Sequence, residues 1–374
     1  MKKVQLLKFF SKFLKSKDII MLESSYGIGD SSGAFFNYII DKGYNKKYKI
    51  VWMVKDPDAY KNIKIKNVKF YKMKDLRFIF NLMRAKYIIY NDIIIPKLRE
   101  DQTVVYLSHG CPPIKNVKGL INVKSDLCIS TSEDVVDLIS YQFSVDRDKI
   151  FICGLPRNDY LFKDTKALSL LTNKKYKKVV LWMPTFREAD PSRVIRNDSS
   201  KIYNFGIPLI NSDDDCCVLN DRLKENDTLL IIKPHHYQHK KVNKLKQMSN
   251  IVVISSDLLN EKQVNLYSLI KDSDALMSDY SSVIFDYLLL DRPIGFILDD
   301  IDDYKLGFSI DNPLDFMPGE KMYTFEDLLA FISHVSEGVD DYKEERRKVR
   351  DYTNKYQDGN NCERLLEFLG LYGI

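Results

Sequence analysis

Short apolar runs alternate with segments of helical periodicity along most of this chain. The first set of runs predicts strands at Asp18–Ser24, Lys49–Val54, Tyr87–Asn91, Thr103–Leu107, Asp126–Ser130 and Lys149–Cys153. A second set predicts strands at Val179–Met183, Thr228–Lys233, Ile251–Ser255, Ala275–Ser278 and Ile294–Leu298. Strands that alternate with helices are typical of parallel, doubly wound sheets. The pattern therefore predicts an α/β protein with two such sheets.

A lysine-rich stretch, residues 173–178, separates the two sets of strands and predicts a domain boundary. We expect a first domain over residues 18–172 and a second over residues 173–374, because a chain of 374 residues can bury two cores. Predicted helices at Phe325–Ser333, Tyr342–Tyr356 and Asn361–Leu369 fall in the second domain. The polar segment Asp190–Asp215 predicts a long mobile loop and a candidate lid.

Residues 1–17 form a separate basic, amphipathic segment. On a helix its apolar residues share one face and its lysines another: Leu6, Phe10 and Phe13 on the first, and Lys8, Lys12 and Lys15 on the second. Such a helix can lie on an anionic membrane surface. The alternative is a helix that packs on the protein body with its lysines in solvent. The sequence leaves both interpretations open.

The composition is that of a soluble globular protein, with 45% apolar and 29% charged residues. Its 57 basic and 52 acidic residues nearly balance, and it has no basic module with stacking aromatics, so nucleic acid is not an expected partner. The six cysteines show neither CxxC nor Cys/His ligand spacing, which argues against a metal site or a disulfide framework. No apolar run reaches the roughly 18 residues that a transmembrane helix needs.

The stretch SDYSSVIFDYLLLDRP, Ser278–Pro293, passes from a predicted strand into a predicted helix. Ser281 and Ser282 supply hydroxyls at the helix start, where free backbone N–H groups and the helix dipole favour an anion. The sequence therefore predicts a phosphate site at this turn. The alternative is an ordinary turn with a serine N-cap.

Further polar side chains follow other predicted strands. His109, in LSHGCPP, is a candidate general base because an unperturbed imidazole titrates near neutral pH, and Gly110 allows close approach of a ligand. Arg187, in MPTFR, can donate two hydrogen bonds to phosphate oxygens. The remaining candidates are Lys233 and His235 in IIKPHH, and Arg157 and Asn158 in GLPRND. A metal site at the histidines near residue 235 lacks a suitably spaced carboxylate, so no metal site is predicted.

At these residues the chain resembles the CDP-glycerol:glycerophosphate glycerophosphotransferases, the primases and polymerases of teichoic acids and related capsules. The similar segments are LESSYGIGDSSGAFFNYI, SHGCPP, GLPRNDYL, MPTFRE, IKPHH, SDYSSVIFDYLLLDRP, DDIDDYKLGF and NKYQDGNN. The resemblance implies a GT-B fold, with two Rossmann-like domains facing across a cleft. It also implies attack of an acceptor hydroxyl on the β-phosphorus of a CDP-alditol, with release of CMP.

The resemblance also implies roles for individual residues. His109 matches the general base and His235 a second catalytic histidine at the pyrophosphate. The implied donor-phosphate residues are Arg187, Thr185, Lys233, Ser281 and Ser282; the implied nucleotide or ribose residues are Asp279, Asp286 and Pro184. Gly110, Arg157 and Asn158 fall on the acceptor side. No cofactor is required, and a Mg²⁺ ion carried by the nucleotide is compatible with this chemistry.

The expected partners are CDP-glycerol or CDP-ribitol, a lipid-linked saccharide or polyol-phosphate acceptor, and an anionic membrane surface. The expected location is the cytoplasmic face of the bacterial plasma membrane, where the protein would be peripheral. Two alternatives stay open on the residues alone. A GT-B glycosyltransferase would use a sugar nucleotide and release a nucleoside diphosphate, and a non-catalytic module would only bind a nucleotide.

Overall fold

The computed structural model describes residues 2–25, 27–121, 123–185, 201, 203–234 and 245–371. Three predicted features therefore lie wholly or partly outside the described residues. Arg187 and His235 are not described, and neither is the predicted lid over residues 190–200.

The strands form two sheets in which all neighbouring pairs are parallel. The first sheet contains β1 (Ile19–Glu23), β2 (Lys49–Met53), β3 (Val68–Tyr71), β4 (Tyr87–Tyr90), β5 (Thr103–Tyr106), β6 (Leu127–Ser130) and β7 (Ile150–Ile152), in the order β3-β2-β1-β4-β5-β6-β7. The second contains β8 (Lys178–Trp182), β9 (Thr228–Ile232), β10 (Ile251–Val253), β11 (Ala275–Ser278), β12 (Ile294–Ile297) and β13 (Glu320–Met322), in the order β10-β9-β8-β11-β12-β13. The prediction of two parallel sheets is confirmed.

Helices connect most of these strands. They are α1 (Lys2–Ser11), α2 (Asp30–Asp41), α3 (Leu76–Leu82), α4 (Val136–Phe143), α5 (Ala167–Leu171), α6 (Asp213–Glu225), α7 (Ser256–Glu261), α8 (Leu266–Asp272), α9 (Val283–Tyr287), α10 (Phe325–Glu337), α11 (Lys343–Thr353) and α12 (Asn361–Phe368). The central strands are buried on both faces, which is why their sequences are nearly continuous apolar runs. Trp52 in β2 and Trp182 in β8 are among the largest fully buried side chains.

Two edge strands, β3 and β13, were not predicted from the sequence. β3 reads VKFY and β13 reads EKM, and both carry charged residues because an edge strand is only partly covered. The described part of the predicted mobile loop also differs from expectation, since Ile207 and Ile210 lie in the core of the second sheet. The acidic run at its end begins α6, where Ser212 and Asp215 form a capping box.

The chain divides into two compact units. Unit 1 comprises residues 1–112, 118–162 and 354–374, and unit 2 comprises residues 113–117 and 163–353. The predicted boundary between residues 172 and 173 therefore lies ten residues too late (172 − 162), and the last helix belongs to unit 1 rather than to the second domain. Its contacts explain this return of the chain: the Asp159 carboxylate accepts the backbone N–H groups of Asn361 and Cys362 at 2.8 and 2.9 Å.

The N-terminal helix α1 exposes its apolar face. Phe13, just beyond its end, is 74% exposed, and Leu6 and Phe10 are also exposed. The opposite side is fixed to unit 1, because Ser11 is fully buried and its hydroxyl donates to the Leu98 carbonyl at 3.1 Å. The helix therefore contacts the body on the side of Leu7 and Ser11 and leaves its aromatic side exposed. Among the helices described, none combines the length and apolarity needed to cross a membrane.

We predict that Asp159→Ala destabilises unit 1. The substitution removes a buried carboxylate that accepts two N–H groups at the N-terminus of α12, and charged hydrogen bonds of this kind contribute about 1.5–3 kcal/mol each. We expect the free energy of unfolding to fall by about 2–4 kcal/mol in urea titrations. Asp164→Ala, at an exposed position, is the control and should change it by less than about 0.5 kcal/mol. Equal midpoints for the two variants would contradict the role of Asp159.

Candidate functional site

In unit 1, polar side chains gather at the carboxyl ends of three adjacent strands. β1 pairs with β4 and β4 with β5, so the segments that follow them lie side by side. Glu23 ends β1, Asp92 follows β4 and His109 follows β5. Ligands of open α/β sheets bind at this edge. The predicted base thus lies at the edge where substrates bind in such folds.

His109 is held by two carboxylates. Its Nδ1 lies 3.0 Å from Oδ2 of Asp30 and 3.4 Å from Oδ1 of Asp92, while about half of its side chain (51%) is exposed. Asp30 is the first residue of α2 and its side chain is only 7% exposed. Protein carboxylates therefore hold the imidazole at Nδ1, while about half of the side chain reaches solvent.

Arg157 completes this arrangement from the turn at Pro156–Phe162. Its guanidinium is buried, and Nη1 donates to Oδ1 of Asp30 at 2.7 Å and to the backbone carbonyl of His109 at 3.0 Å. The structure therefore brings Arg157 together with His109 through a shared carboxylate. Asn158, also predicted on the acceptor side, is buried, and its backbone N–H donates to Leu155.

The electrostatics follow from these contacts. Burial acts to raise the pKa of Asp30, but the charge of Arg157 and the hydrogen bond from His109 outweigh it, so the pKa of Asp30 lies well below its usual range. Burial acts to lower the pKa of His109, but the hydrogen bond to Asp30 and the charges of Asp30 and Asp92 outweigh it, so the pKa of His109 is raised. An ionised Asp30 accepts a hydrogen bond from Nδ1–H, which places the lone pair of neutral His109 on Nε2.

The backbone around the histidine is locally constrained. Asp30 and Ser108 both have φ of 56°, in the left-handed region that residues other than glycine rarely adopt. The Ser108 hydroxyl donates to the Gly110 carbonyl at 2.8 Å, and the Ser108 carbonyl accepts from Nδ2 of Asn91 at 2.8 Å. Gly110 is itself buried beneath this turn. Hydrogen bonds around the turn thus hold His109 in a strained loop.

Sequence reasoning missed several residues of this site: Asp30, Asp92, Asn91 and Glu23. Asn91 ties the loop to α2, because its Oδ1 accepts from the backbone N–H of Ser32 at 2.8 Å and from its hydroxyl at 2.7 Å. A signal was present, since Asp92 directly follows a predicted strand and Asp30 follows the Gly-x-Gly loop. Neither pattern says which histidine these carboxylates contact.

In unit 2, the predicted residues Pro184, Thr185 and Asp279 come together after β8 and β11. Asp279 is buried, and its Oδ2 accepts from the Thr185 backbone N–H at 2.9 Å while its Oδ1 accepts from the Thr185 hydroxyl. The hydroxyl of Ser278 donates to the Met183 carbonyl at 2.8 Å. Asp279 therefore fixes the turn that carries Pro184 and Thr185, a position that favours a structural role over the predicted ribose contact.

Lys233 lies at the same edge, because β9 pairs with β8. Its side chain is partly buried, and burial lowers its pKa. Its backbone N–H donates to Trp182 at 2.8 Å, which continues the β8–β9 ladder beyond the strands. A cationic side chain is thus available close to the turn after β8.

Ser281 and Ser282 are partly exposed after β11, as a phosphate site requires. The helix that follows them differs from the prediction, because α9 has five residues and gives way to a 3-10 turn at Leu288–Leu290. A helix this short contributes little dipole, so the serine hydroxyls and local N–H groups must account for any anion binding. The alternative of a serine cap is met only weakly: Ser282 makes no capping hydrogen bond, and the Ser281 hydroxyl accepts from the backbone N–H of Val283 at 3.5 Å.

Asp286 is the predicted site residue whose position departs most from its expected role. It is fully buried in α9, and its Oδ2 accepts from the Tyr267 hydroxyl at 2.6 Å. A carboxylate enclosed in this way is not presented to a ribose. The helical pattern placed Asp286 correctly on α9 but did not reveal that this face is covered by α8.

No group of His, Cys, Asp or Glu side chains suited to hold a metal ion occurs within the residues that the structure describes. The histidines near residue 235, which the sequence raised as metal ligands, lie outside those residues.

Comparison with known proteins gives consistent matches. A family model described as CDP-glycerol:poly(glycerophosphate) glycerophosphotransferase matches residues 4–370. A teichoic acid glycerol-phosphate transferase of Staphylococcus aureus (strain NCTC 8325 / PS 47) is 27% identical, over 96% of this chain and 94% of that protein. A teichoic acid ribitol-phosphate primase of Bacillus spizizenii (strain ATCC 23059 / NRRL B-14472 / W23) is 24% identical, over 75% of this chain and 72% of that protein.

The fold comparison agrees with these matches. The solved structure of the wall teichoic acid polymerase TagF superposes with a TM-score of 0.76 at 21% identity, covering 99% of this chain and 94% of that one. The predicted α/β, GT-B-like fold class is thereby confirmed. With a family model that spans almost all of its length, this chain belongs to the CDP-glycerol:poly(glycerophosphate) glycerophosphotransferase family.

Proposed function

We propose that this protein transfers an alditol-phosphate unit from a CDP-alditol to a hydroxyl of a lipid-linked or polymeric acceptor, in the synthesis of a teichoic acid or similar cell-surface polymer. Family membership supports the reaction class. The observation that carries the proposal is the pairing of His109 Nδ1 with the buried Asp30, because this pairing selects Nε2 as the basic nitrogen of the neutral imidazole.

The chemistry follows from that pairing. Nε2 of His109 takes the proton of the acceptor hydroxyl, and the resulting oxygen nucleophile attacks the β-phosphorus of the donor. The bond from that phosphorus to the oxygen bridging the two phosphates breaks, and CMP leaves with the bonding electron pair. Asp30 and Asp92 stabilise the imidazolium that forms, because both carboxylates lie beside Nδ1. Positioning and charge stabilisation supply much of the rate in such transfers.

The donor phosphates are assigned to unit 2. Lys233, Ser281 and Ser282 offer ammonium and hydroxyl donors at the carboxyl edge of its sheet, whereas the N–H and the hydroxyl of Thr185 already donate to Asp279. Arg187 and His235 are proposed for the same phosphates on the strength of the family resemblance. These residues of the chain supply the positive charge that the phosphates require, and any Mg²⁺ would arrive with the nucleotide.

The proposed location is the cytoplasmic face of the plasma membrane. The support is α1, whose exposed aromatic side and flanking lysines match the apolar interior and anionic headgroups of a bilayer surface. A peripheral contact of this kind would keep the transferase next to a lipid-linked acceptor.

A donor panel tests the reaction class. Purified protein is incubated with a lipid-linked acceptor and with CDP-glycerol, CDP-ribitol or sugar nucleotides, and the released nucleotide is identified. CMP from a CDP-alditol supports the proposal and identifies the alditol, which matters because both glycerol- and ribitol-specific names occur among the relatives. A nucleoside diphosphate from a sugar nucleotide would establish a glycosyltransferase instead. Binding of a donor nucleotide without release of CMP or a nucleoside diphosphate, whichever acceptor is present, would favour a non-catalytic module.

We predict that His109→Ala lowers turnover by about 10²–10⁴-fold while the affinity for the CDP-alditol is kept, because only the general base is removed. The readouts are CMP release and calorimetric donor binding. His334→Ala is the control, since His334 is partly exposed and pairs with Glu320 in unit 2. Unchanged turnover in the His109 variant would remove it from the mechanism.

We predict that Asp30→Asn moves the acid limb of the pH profile of kcat/KM to lower pH. Activity requires neutral His109 and so rises with pH through its pKa, which in the parent lies above the usual value of about 6.5. Replacing the carboxylate removes the main group that raises this pKa, and Arg157 then acts against protonation. Asp148→Asn, an exposed carboxylate of unit 1, should leave the limb in place. An unshifted limb in Asp30→Asn is the contrary result.

We predict that the double substitution Phe10→Ser and Phe13→Ser weakens binding to phosphatidylglycerol vesicles at least about tenfold, because burying one such side chain contributes about 1.5–3 kcal/mol. Co-sedimentation at several salt concentrations measures the partition coefficient. The matched control is Leu170→Ser with Leu314→Ser, which removes two other exposed apolar side chains. Equal vesicle binding by both double variants would exclude α1 as the membrane contact.

A further inference from the structure

One buried carboxylate near His109 has no part in the proposed mechanism. Glu23 is the last residue of β1 and is fully buried. Its Oε2 accepts the backbone N–H groups of Asp92 and Ile93, both at 2.9 Å. These two residues begin the segment after β4 that carries the second carboxylate of the histidine site.

The contact is reciprocal. While Glu23 accepts from the segment after β4, Oδ2 of Asp92 accepts from the backbone N–H of Ser25, in the segment after β1, at 2.8 Å. The other carboxylate oxygen, Oδ1 of Asp92, lies 3.4 Å from Nδ1 of His109. The segments after β1 and β4 are therefore joined by hydrogen bonds from both carboxylates. These hydrogen bonds hold the Asp92 carboxylate where it meets the imidazole.

We propose that Glu23 is a positioning residue for His109: its carboxylate fixes the backbone at Asp92 and Ile93 and thereby holds the Asp92 carboxylate beside the imidazole. The inference rests on the proposed base role of His109 for its functional meaning, but not for its geometry. Glu23 touches neither His109 nor a reacting atom, so its effect passes through Asp92.

The burial of Glu23 is difficult to explain by stability alone. Its Oε1 is buried and has no hydrogen-bond partner among the described residues, an arrangement that costs stability in a protein interior. An apolar residue or a glutamine would avoid the charge. Burial raises the pKa of Glu23 to about 7 despite the two N–H groups that it accepts, and the nearby charge of Asp92 acts in the same direction. A costly carboxylate at a strand end beside a base is typical of a functional site.

Several titratable groups among the described residues act on this pair. Asp92 and Tyr90, at and just after the end of β4, face Glu23. Asp30 from α2, Asp92 and Arg157 face His109. Removing Asp92 therefore separates an effect of Glu23 that passes through Asp92 from one that does not.

The test is a double-mutant cycle on the pKa of His109, measured by histidine-selective ¹³C NMR of the full chain, with the resonance assigned from His109→Gln. Glu23→Gln keeps the shape and one acceptor oxygen but removes the charge that holds two N–H groups. We expect the pKa of His109 to fall by about 0.2–0.7 unit, the range for losing one partly exposed charge pair. In the Asp92→Asn background, Glu23→Gln should cause no further fall.

Glu100→Gln, the same change at an exposed glutamate of unit 1, is the control and should leave the pKa of His109 unchanged. An unchanged pKa in folded Glu23→Gln, or an equal fall with and without Asp92, overturns the proposal. If Glu23→Gln does not fold, Glu23→Asp takes its place in the cycle, because the shorter side chain withdraws the carboxylate from the two N–H groups. A lowered pKa of His109 that disappears in the Asp92→Asn background supports the proposal, and an unchanged pKa refutes it.

Because this readout needs no turnover, its failure is separate from failure of the proposed reaction. Should His109→Ala keep full activity while the cycle holds, the base role fails and the positioning by Glu23 stands. Should the cycle fail while His109→Ala is inactive, the base role of His109 stands and the positioning by Glu23 fails.

Discussion

The site in unit 1 depends on one buried carboxylate that pairs with both Arg157 and His109. Asp30 accepts from Arg157 through one oxygen and faces His109 through the other. Burying the carboxylate of Asp30 or the guanidinium of Arg157 alone would be costly, since an unpaired charge in a protein interior loses its hydration. Together they compensate one another, and the residual effect is an imidazole with a fixed proton on Nδ1 and a raised pKa. The left-handed backbone conformation of Asp30 costs conformational free energy, and the contacts with Arg157 and His109 offset this cost.

The same structural device recurs through the molecule. A buried carboxylate at the end of one strand or turn accepts backbone N–H groups from a neighbouring segment: Glu23 from the segment after β4, Asp279 from the turn after β8, and Asp159 from the start of α12. Each contact fixes a loop that tertiary packing alone would leave loose. Precision at the carboxyl edges of both sheets thus comes from side-chain-to-backbone hydrogen bonds made by acidic residues.

Much of the fold was predictable from the sequence, because buried parallel strands leave continuous apolar runs. The edge strands β3 and β13 were not, since their charged residues obscure the pattern. The return of α12 to unit 1 depends on Asp159 meeting Asn361, a contact between distant positions that no local periodicity reports. The end of α9 was not predictable for a local reason: Leu288 and Leu290 continue the helical spacing, whereas the backbone tightens into a 3-10 turn.

For the site, sequence reasoning identified side chains by their place after a strand, and the structure brings two of them, His109 and Arg157, together. It could not pair them, because pairing depends on strand order, and β1, β4 and β5 are adjacent although β2 and β3 intervene in the chain. Asp30 and Glu23 were therefore missed, and Asp286 was assigned to a ligand although Tyr267 covers it. Residues that belong to one motif can be found in the sequence. Residues that meet at the carboxyl ends of adjacent strands can be found only once the strand order is known.

In the proposed mechanism, Asp30 fixes which nitrogen of His109 acts as the base. The ¹⁵N chemical shifts of both ring nitrogens of His109, recorded at a pH where the ring is neutral, test this directly. We expect a protonated Nδ1 and an unprotonated Nε2, with the pattern lost in Asp30→Asn. A proton on Nε2 in the parent protein would contradict this mechanism, because the nitrogen assigned to the acceptor hydroxyl would then have no lone pair to offer.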